Sequence, residues 1–536
     1  KLLSLILICL TFIYFAFWKL PSTKEVQLKL PDDNKELLLI PLDSRPVCTL
    51  LPKNLGHLAG VHFILPPNEV LDKYTEPANK DFLQKWLQEK VVNVKSVLAS
   101  TDLLLHGGLL HGRTHLASKL EQENLISILS EVLAKAEHAA FFSVVPRLLV
   151  SDEILPDAWY WYHLLRYSES KDTSQIFGDF KEAEVFHKYD EEIPAEIKNK
   201  YVNIFQASQD FNSKLLNLSD KAQVLIGQDD AQAFGLPRMT MERIALNPKS
   251  KQAILTNGAD ELATLLFTRQ FLAEKNSRPK VFVRLSDKKA NFLHAPYMSM
   301  SIDQAVREAL EIIGAKEVSD ENAADIILFI NYGHDNFKPN DKTVNVINNY
   351  LARGKQVALV DNSQNFETEE LLLPKLLISQ VDLNKLTAYA GWNTLGNSLG
   401  TALCQAAIFV TRKSELKDEA LPALYGENLR LNINRFLDDF FYQKLKHADL
   451  SYEVYNLGMD SRNLTEEEKM QIECELLVYT MLRAELLLHA NLGRTPFYEN
   501  AGKKYFLTDL TTTTQLPWNR IFEVDIRTYP KFGVTE

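Results

Sequence analysis

Short apolar runs recur along this chain, and most end at a glycine, a proline or a charged residue. Ten of them read as strands: 37–40, 61–65, 96–108, 139–147, 224–226, 252–261, 280–287, 324–331, 356–362 and 386–393. Their unbroken apolar character is that of strands buried on both faces, because a half-exposed strand alternates with period two. Segments with helical spacing, such as 80–91, 301–313 and 344–353, fall between them. Strand alternating with helix predicts parallel sheet and an α/β fold.

Ten strands are two too many for one eight-stranded barrel and suit two sheets better, or a barrel with an embedded βα pair. The division is placed at Ser277-Arg278-Pro279. Residues 36–278 are then a barrel-like (TIM-barrel-like) or open parallel-sheet half, with a helical insertion at 148–220. Residues 279–412 form a smaller, doubly wound, flavodoxin-like half. From 413 to 536 the spacing of Leu, Phe, Ile and Tyr turns helical, and 516–526 (LPWNRIFEVDI) alternates like a short edge strand.

The length, 536 residues, exceeds what one core usually holds. A formal charge of -11 argues against a nucleic-acid partner, since phosphate backbones are gripped by clustered Lys and Arg. Residues 2–18 carry no charge and are flanked by Lys1 and Lys19. As a helix they reach about 26 Å, marginal against ~30 Å of hydrocarbon, and Phe17-Trp18 is too bulky for a signal cleavage site. The segment 1–20 is expected to be a membrane anchor, with a cleaved signal or a buried helix as alternatives, and the body to be extracytoplasmic. The four cysteines form no CxxC pair and indicate neither a disulfide framework nor a zinc ribbon.

Polar residues gather where the strands end: Asp43 and Arg45; Asp102 and His106; Arg147; Asp229 and Asp230; Asp260 and Glu261; Asn331, His334 and Asp335; Asp361 and Asn362; Trp392 and Asn393. In a parallel sheet these ends share one rim, where ligands bind. Asp229 and Asp230 are the candidate catalytic pair, because neighbouring carboxyls push their pKa values apart and leave one protonated beside one ionised. Adjacent strand residues face opposite sides, so both reach one substrate only if the chain leaves extended geometry there. The alternative is that one aspartate caps the next helix or binds Arg238. Asp260 serves equally as an N-cap for a helix from Leu262. Asp43 and Arg45 offer a grip on a hydroxyl-rich or anionic group, or an internal ion pair. The stretch from His106 to Arg113 (HGGLLHGR) lets backbone approach a ligand, and Trp392 offers a face for a sugar. No dinucleotide, P-loop, nucleophile-elbow or HExxH motif occurs, and no cofactor is expected.

The set PLDSRP, HGGLLHGR, GQDDA, NGADE, GWNTLGNSLG and PWNR-FEVD resembles a bacterial family of about this length catalogued as a domain of unknown function. The resemblance covers most of the chain after residue 20 and implies no activity. His106 stands where the family's usual form is tyrosine-glycine-glycine. Separately, the Asp-Asp pair after a strand is similar to that of retaining hexosaminidases, which implies a first acid that steadies an amide and a second that acts as acid/base.

The leading expectation is an extracytoplasmic glycoside hydrolase acting on a carbohydrate or cell-wall polymer. In it Asp229 and Asp230 are catalytic, and Asp43, Arg45, His106, Asp260, Glu261, Asp361, Asn362, Trp392 and Asn393 bind substrate. The rivals are a metal-dependent hydrolase with Asp43, His106, Asp229 and Asp361 as ligands, and a non-catalytic wall-binding protein.

Overall fold

The computed structural model describes residues 20–149, 159–178, 180–334, 337–365 and 367–535. The expected anchor segment and Asp335 lie outside the described residues. Among the described residues no helix is long and apolar enough to cross a membrane.

In chain order the strands are β1 (Lys24–Val26), β2 (Lys35–Ile40), β3 (Val61–Ile64), β4 (Ser96–Ser100), β5 (His138–Val145), β6 (Gln223–Gln228) and β7 (Ile254–Asn257). They continue with β8 (Lys280–Leu285), β9 (Lys316–Glu317), β10 (Ile326–Asn331), β11 (Val357–Asp361) and β12 (Leu386–Ala390), then β13 (Tyr498–Asn500), β14 (Lys503–Gln515) and β15 (Asp525–Thr535). A strand is present in each of the ten expected places, but the one expected over 96–108 stops at Ser100, where Ser100 caps a short helix, Thr101–Leu105, so His106 does not end a strand. Six make a parallel sheet in the order β3-β2-β4-β5-β6-β7, and five make a second in the order β12-β11-β10-β8-β9.

Both sheets are open. Among the described residues β3 and β7 have a neighbour on one side only, so no barrel closes and the barrel-like expectation gives way to its open alternative. In each sheet the chain reverses direction across the sheet: the strands after β2 go first to one side and then to the other, as do those after β8. Such a reversal opens a crevice beyond the carboxyl ends.

The alternation of side chains shows how the layers meet. On β10, Ile326, Leu328 and Ile330 enter the same core as Leu39 of β2, Leu98 of β4 and Phe142 of β5. Ile327 and Phe329 point the other way, toward the C-terminal helices. The two sheets therefore share one apolar layer, filled by helices such as Leu262–Glu274 and Leu395–Glu415, which pack on each other. The far face of the first sheet is covered in part by the inserted helices Trp159–Phe177, Phe180–Glu192 and Ala195–Leu215, placed where the insertion was expected.

The C-terminal part is helical to Leu492, but it ends in three antiparallel strands, β13, β14 and β15, that make a four-stranded sheet with β1, and not in one short edge strand. Residues 516–524 are the connection of a long antiparallel hairpin, β14 with β15, and the strand begins only at Asp525. Pro517 has no N–H to give a ladder, while Leu516, Trp518, Ile521 and Val524 are buried by tucking the connection against the body.

Candidate functional site

The loop after β2 carries a buried charge cluster. Arg45 donates from Nε (2.9 Å) and Nη2 (2.6 Å) to Asp43 Oδ2, and Nη2 also reaches Asp260 Oδ1 at 2.5 Å. Asp43 also accepts the Arg45 backbone N–H at 3.1 Å. A guanidinium suits this position, because its fork serves two carboxylates at once. Asp43, Cys48 and Asp260 have ligand atoms within 4.8 Å of one another, yet the Arg45 Nη2 lies within hydrogen-bond reach of both carboxylates and already acts as their cation. Burial pushes the Cys48 thiol well up, so it stays neutral. Asp260 is therefore an ion-pair partner, and Glu261 takes the N-cap position of the next helix without a side-chain cap bond.

At the end of β6 the chain leaves extended geometry, and both tandem aspartates line one cavity of roughly 280 Å3. Gly227 permits the approach of the β7 loop: a Cβ there would lie 2.3 Å from Gly258 O. Arg113 donates to Asp229 Oδ2 from Nε (3.0 Å) and Nη2 (2.6 Å), and Asp229 Oδ1 accepts the N–H of Asp230 at 2.9 Å. Burial works to raise the Asp229 pKa, but the Arg113 charge and these hydrogen bonds overcome it and hold the carboxyl below its usual value. Asp230 goes the other way, to about 7, through burial first and the Asp229 charge second. Arg238 is engaged elsewhere, by Asp172 and Glu242.

Glu261 forms a third part of the wall. It is 4 % exposed, and its Oε2 has no hydrogen-bond partner among the described residues. Burial raises its pKa to about 8, with a smaller push from Asp260, while backbone N–H groups of Glu261 and Ala259 pull against it. Glycines clear its space: Gly258 sits at φ +108°, and a Cβ there would come within 2.0 Å of Glu261 Oε1.

From the second sheet come Asn393, Thr394, Gly396 and Asn397, at the end of β12. Asn393 adopts φ 47°, Thr394 caps the following helix by accepting the Asn397 N–H, and Asn397 Nδ2 donates to Asp260 Oδ2 at 3.3 Å. The hairpin connection supplies Arg520 and Phe522. Trp518 Nε1 donates to Ser44 Oγ at 2.7 Å, and the Arg520 guanidinium lies 4.4 Å from the Tyr74 ring and 4.6 Å from that of Trp518, cation–π contacts that fix it at the rim.

Of the expected site residues, the structure brings Asp229, Asp230, Arg45, Asp260, Glu261 and Asn393 to the cavity. Asp43 lies behind it, as Arg45's partner. Four others do not line it. His106 packs on His115 (Nδ1 to Nδ1 3.1 Å), where burial drives its pKa down to about 3. Asp361 accepts the N–H groups of Leu372 and Leu373 at 2.7 and 2.8 Å and fixes that turn. Asn362 accepts from Ser398 Oγ, whose helix turn also holds the Trp392 carbonyl, and the Trp392 ring is buried. With His106 and Asp361 each engaged away from the cavity, the four-residue metal set does not assemble. Arg113, Tyr297, Asn257 and Arg520 were not among the expected binding residues; the signals were the HGGLLHGR and PWNR motifs for the two arginines and NGADE for Asn257. Tyr297 gave none.

Residues 37–527 match a family described as Protein of unknown function (DUF4127). The chain belongs to this family. The matched span includes every cavity residue, from Arg45 to Phe522. No curated protein and no solved structure matches the chain.

Proposed function

We propose that this member of the family is a carbohydrate-active hydrolase, a glycoside hydrolase in which Asp230 is the acid/base. The observation that carries this reading is Asp230 itself: a carboxyl with a pKa of about 7, open to a cavity, beside a carboxylate that Arg113 keeps ionised. A general acid works best when its pKa lies near the working pH. Asp230 gives its proton to the glycosidic oxygen as the bond from that oxygen to the anomeric carbon breaks. Water then adds to that carbon and its surplus proton returns to Asp230. Asp229 raises the pKa of Asp230 and orients its loop through the Oδ1 contact. The surrounding amides, Gln228, Asn257, Asn393 and Asn397, are the donors and acceptors that sugar hydroxyls need. An extracytoplasmic location, with residues 2–18 as tether and a wall polymer as substrate, is part of the same proposal.

The test is hydrolysis of a panel of wall glycans and aryl glycosides by wild type and by Asp230→Asn, with circular dichroism to confirm that the variant is folded. Loss of turnover in the folded variant supports the assignment. Equal turnover in both rejects it.

A further inference from the structure

Three features of the cavity remain unused by acid/base chemistry at Asp230, and they converge on the charge of the substrate. The first is Glu261, whose Oε2 is buried against the cavity with no partner among the described residues. A carboxyl kept protonated by burial is a hydrogen-bond donor, and its best acceptor is an anionic oxygen. The second is the pair of helices Leu262–Glu274 and Leu395–Glu415, whose N-terminal turns both border the cavity, at Glu261 and at Thr394 to Asn397. Their positive ends favour negative charge. Gly396 leaves the backbone of the second helix bare, since a Cβ there would already touch Glu261 Oε1 at 3.3 Å. The third is the guanidinium edges. Arg113 spends Nε and Nη2 on Asp229, and Arg520 spends Nε and Nη2 on Glu523. Both residues line the cavity, and neither Nη1 makes a hydrogen bond among the described residues.

We infer that the substrate is an acidic sugar, whose carboxylate accepts a hydrogen bond from protonated Glu261 at the two helix N-termini. This rests on the carbohydrate reading above and names the class of sugar: a hexuronic acid or another ring bearing a carboxylate. Burial is the main cause that keeps Glu261 protonated; Asp260 on its own loop and Asp230 at the end of β6 add to it, and the backbone N–H groups of Glu261 and Ala259 oppose it. Cys404, on the helix Leu395–Glu415, is itself held neutral by burial, its pKa pushed up to about 12. Binding a carboxylate adds a further negative charge beside Glu261 and so draws its proton tighter. Affinity for the anion must then fall once the pH exceeds the range in which free Glu261 keeps that proton.

The experiment is titration calorimetry of the full chain with D-glucuronate, D-glucose and glucose 6-phosphate at pH 6.5 and pH 9.5. Asp230→Asn serves as the background, so that the Asp230 carboxyl does not titrate across this interval, and the Glu261→Gln arm separates Glu261 from Asp260 and Glu308, cavity acids whose pKa values are also raised. At pH 6.5 glucuronate binds at least tenfold tighter than glucose, and the preference shrinks at least fivefold at pH 9.5. Adding Glu261→Gln, which keeps a donor but cannot titrate, preserves a preference that no longer changes with pH. Adding Glu261→Ala removes the preference, with circular dichroism as the check on folding. Equal binding of glucose and glucuronate, no binding of glucuronate, tighter binding of the sugar phosphate, or an unchanged preference in the folded Glu261→Ala variant each overturns the inference. Glucuronate preference without hydrolysis of any glycan would sink the hydrolase reading and leave this one standing. Hydrolysis of neutral glycans without the preference does the reverse.

Discussion

Arg113 donates two hydrogen bonds to a single oxygen of Asp229, at 3.0 and 2.6 Å, and so frees the other oxygen to hold the backbone N–H of Asp230. One ion pair thus fixes both the charge of the first aspartate and the position of the second. Arg113→Met removes the main cation from buried Asp229 and leaves its charge to Arg147 and the Asp230 N–H, which costs up to about 3–5 kcal/mol at neutral pH. Urea unfolding measures this, and Asp229→Asn added to it restores part of the loss because the stranded charge is gone. Additive losses in the double variant would mean that the two side chains do not interact.

Stability should fall as pH rises across the neutral range. Asp230 and Glu261 have folded-state values of about 7 and about 8, above the ~3.9 and ~4.3 of an unfolded chain. Between those limits the native state holds protons that the unfolded state has released, so raising the pH favours unfolding. Asp230→Asn and Glu261→Gln each flatten this slope, and near pH 8.5 Glu261→Gln has the higher urea midpoint of it and wild type. A variant slope that matches wild type at every pH would remove the raised values.

Gly258→Ala tests the space around Glu261. At φ +108° an alanine carries about 1–3 kcal/mol of backbone strain, and its methyl occupies the position of Glu261 Oε1. The expected outcome is a lowered melting temperature together with loss of sugar binding. Unchanged binding would show that Glu261 has room to move without consequence.

Trp518→Phe removes one hydrogen bond, to Ser44 Oγ, and keeps the ring beneath Arg520. It lowers stability by about 1 kcal/mol and speeds tryptic cleavage after Arg520, because the hairpin connection is less firmly held. Equal cleavage rates in the variant and wild type would show that other contacts anchor the connection.

Much of this was legible in the residues and part was not. The ten parallel strands were visible as short apolar runs, buried on both faces in central strands such as β10 from Ile326 to Asn331 and half-buried in β3 and β7 at the sheet edges. Asp229, Asp230, Asp260 and Glu261 follow such runs directly, so their place on the rim followed from strand direction alone. Trp392, Asn362 and Asp361 also follow strands, but a strand end says nothing about which way a side chain turns. These three turn inward and hold loops together. The arginines were harder still. Arg113 and Arg520 reach the cavity from a loop and a hairpin connection, through pairings 116 residues away in the first case and through stacking on Tyr74 in the second. Periodicity carries no trace of such long-range partners, and the barrel expectation failed for the same reason: strand number does not reveal whether edges meet.

The bond from Trp518 to Ser44 joins positions separated by 474 residues. On the ribosome, the loop after β2 emerges long before its tryptophan and waits while the residues between them are made. The rim that Arg520 and Phe522 give the cavity is therefore completed only when the hairpin connection has left the exit tunnel.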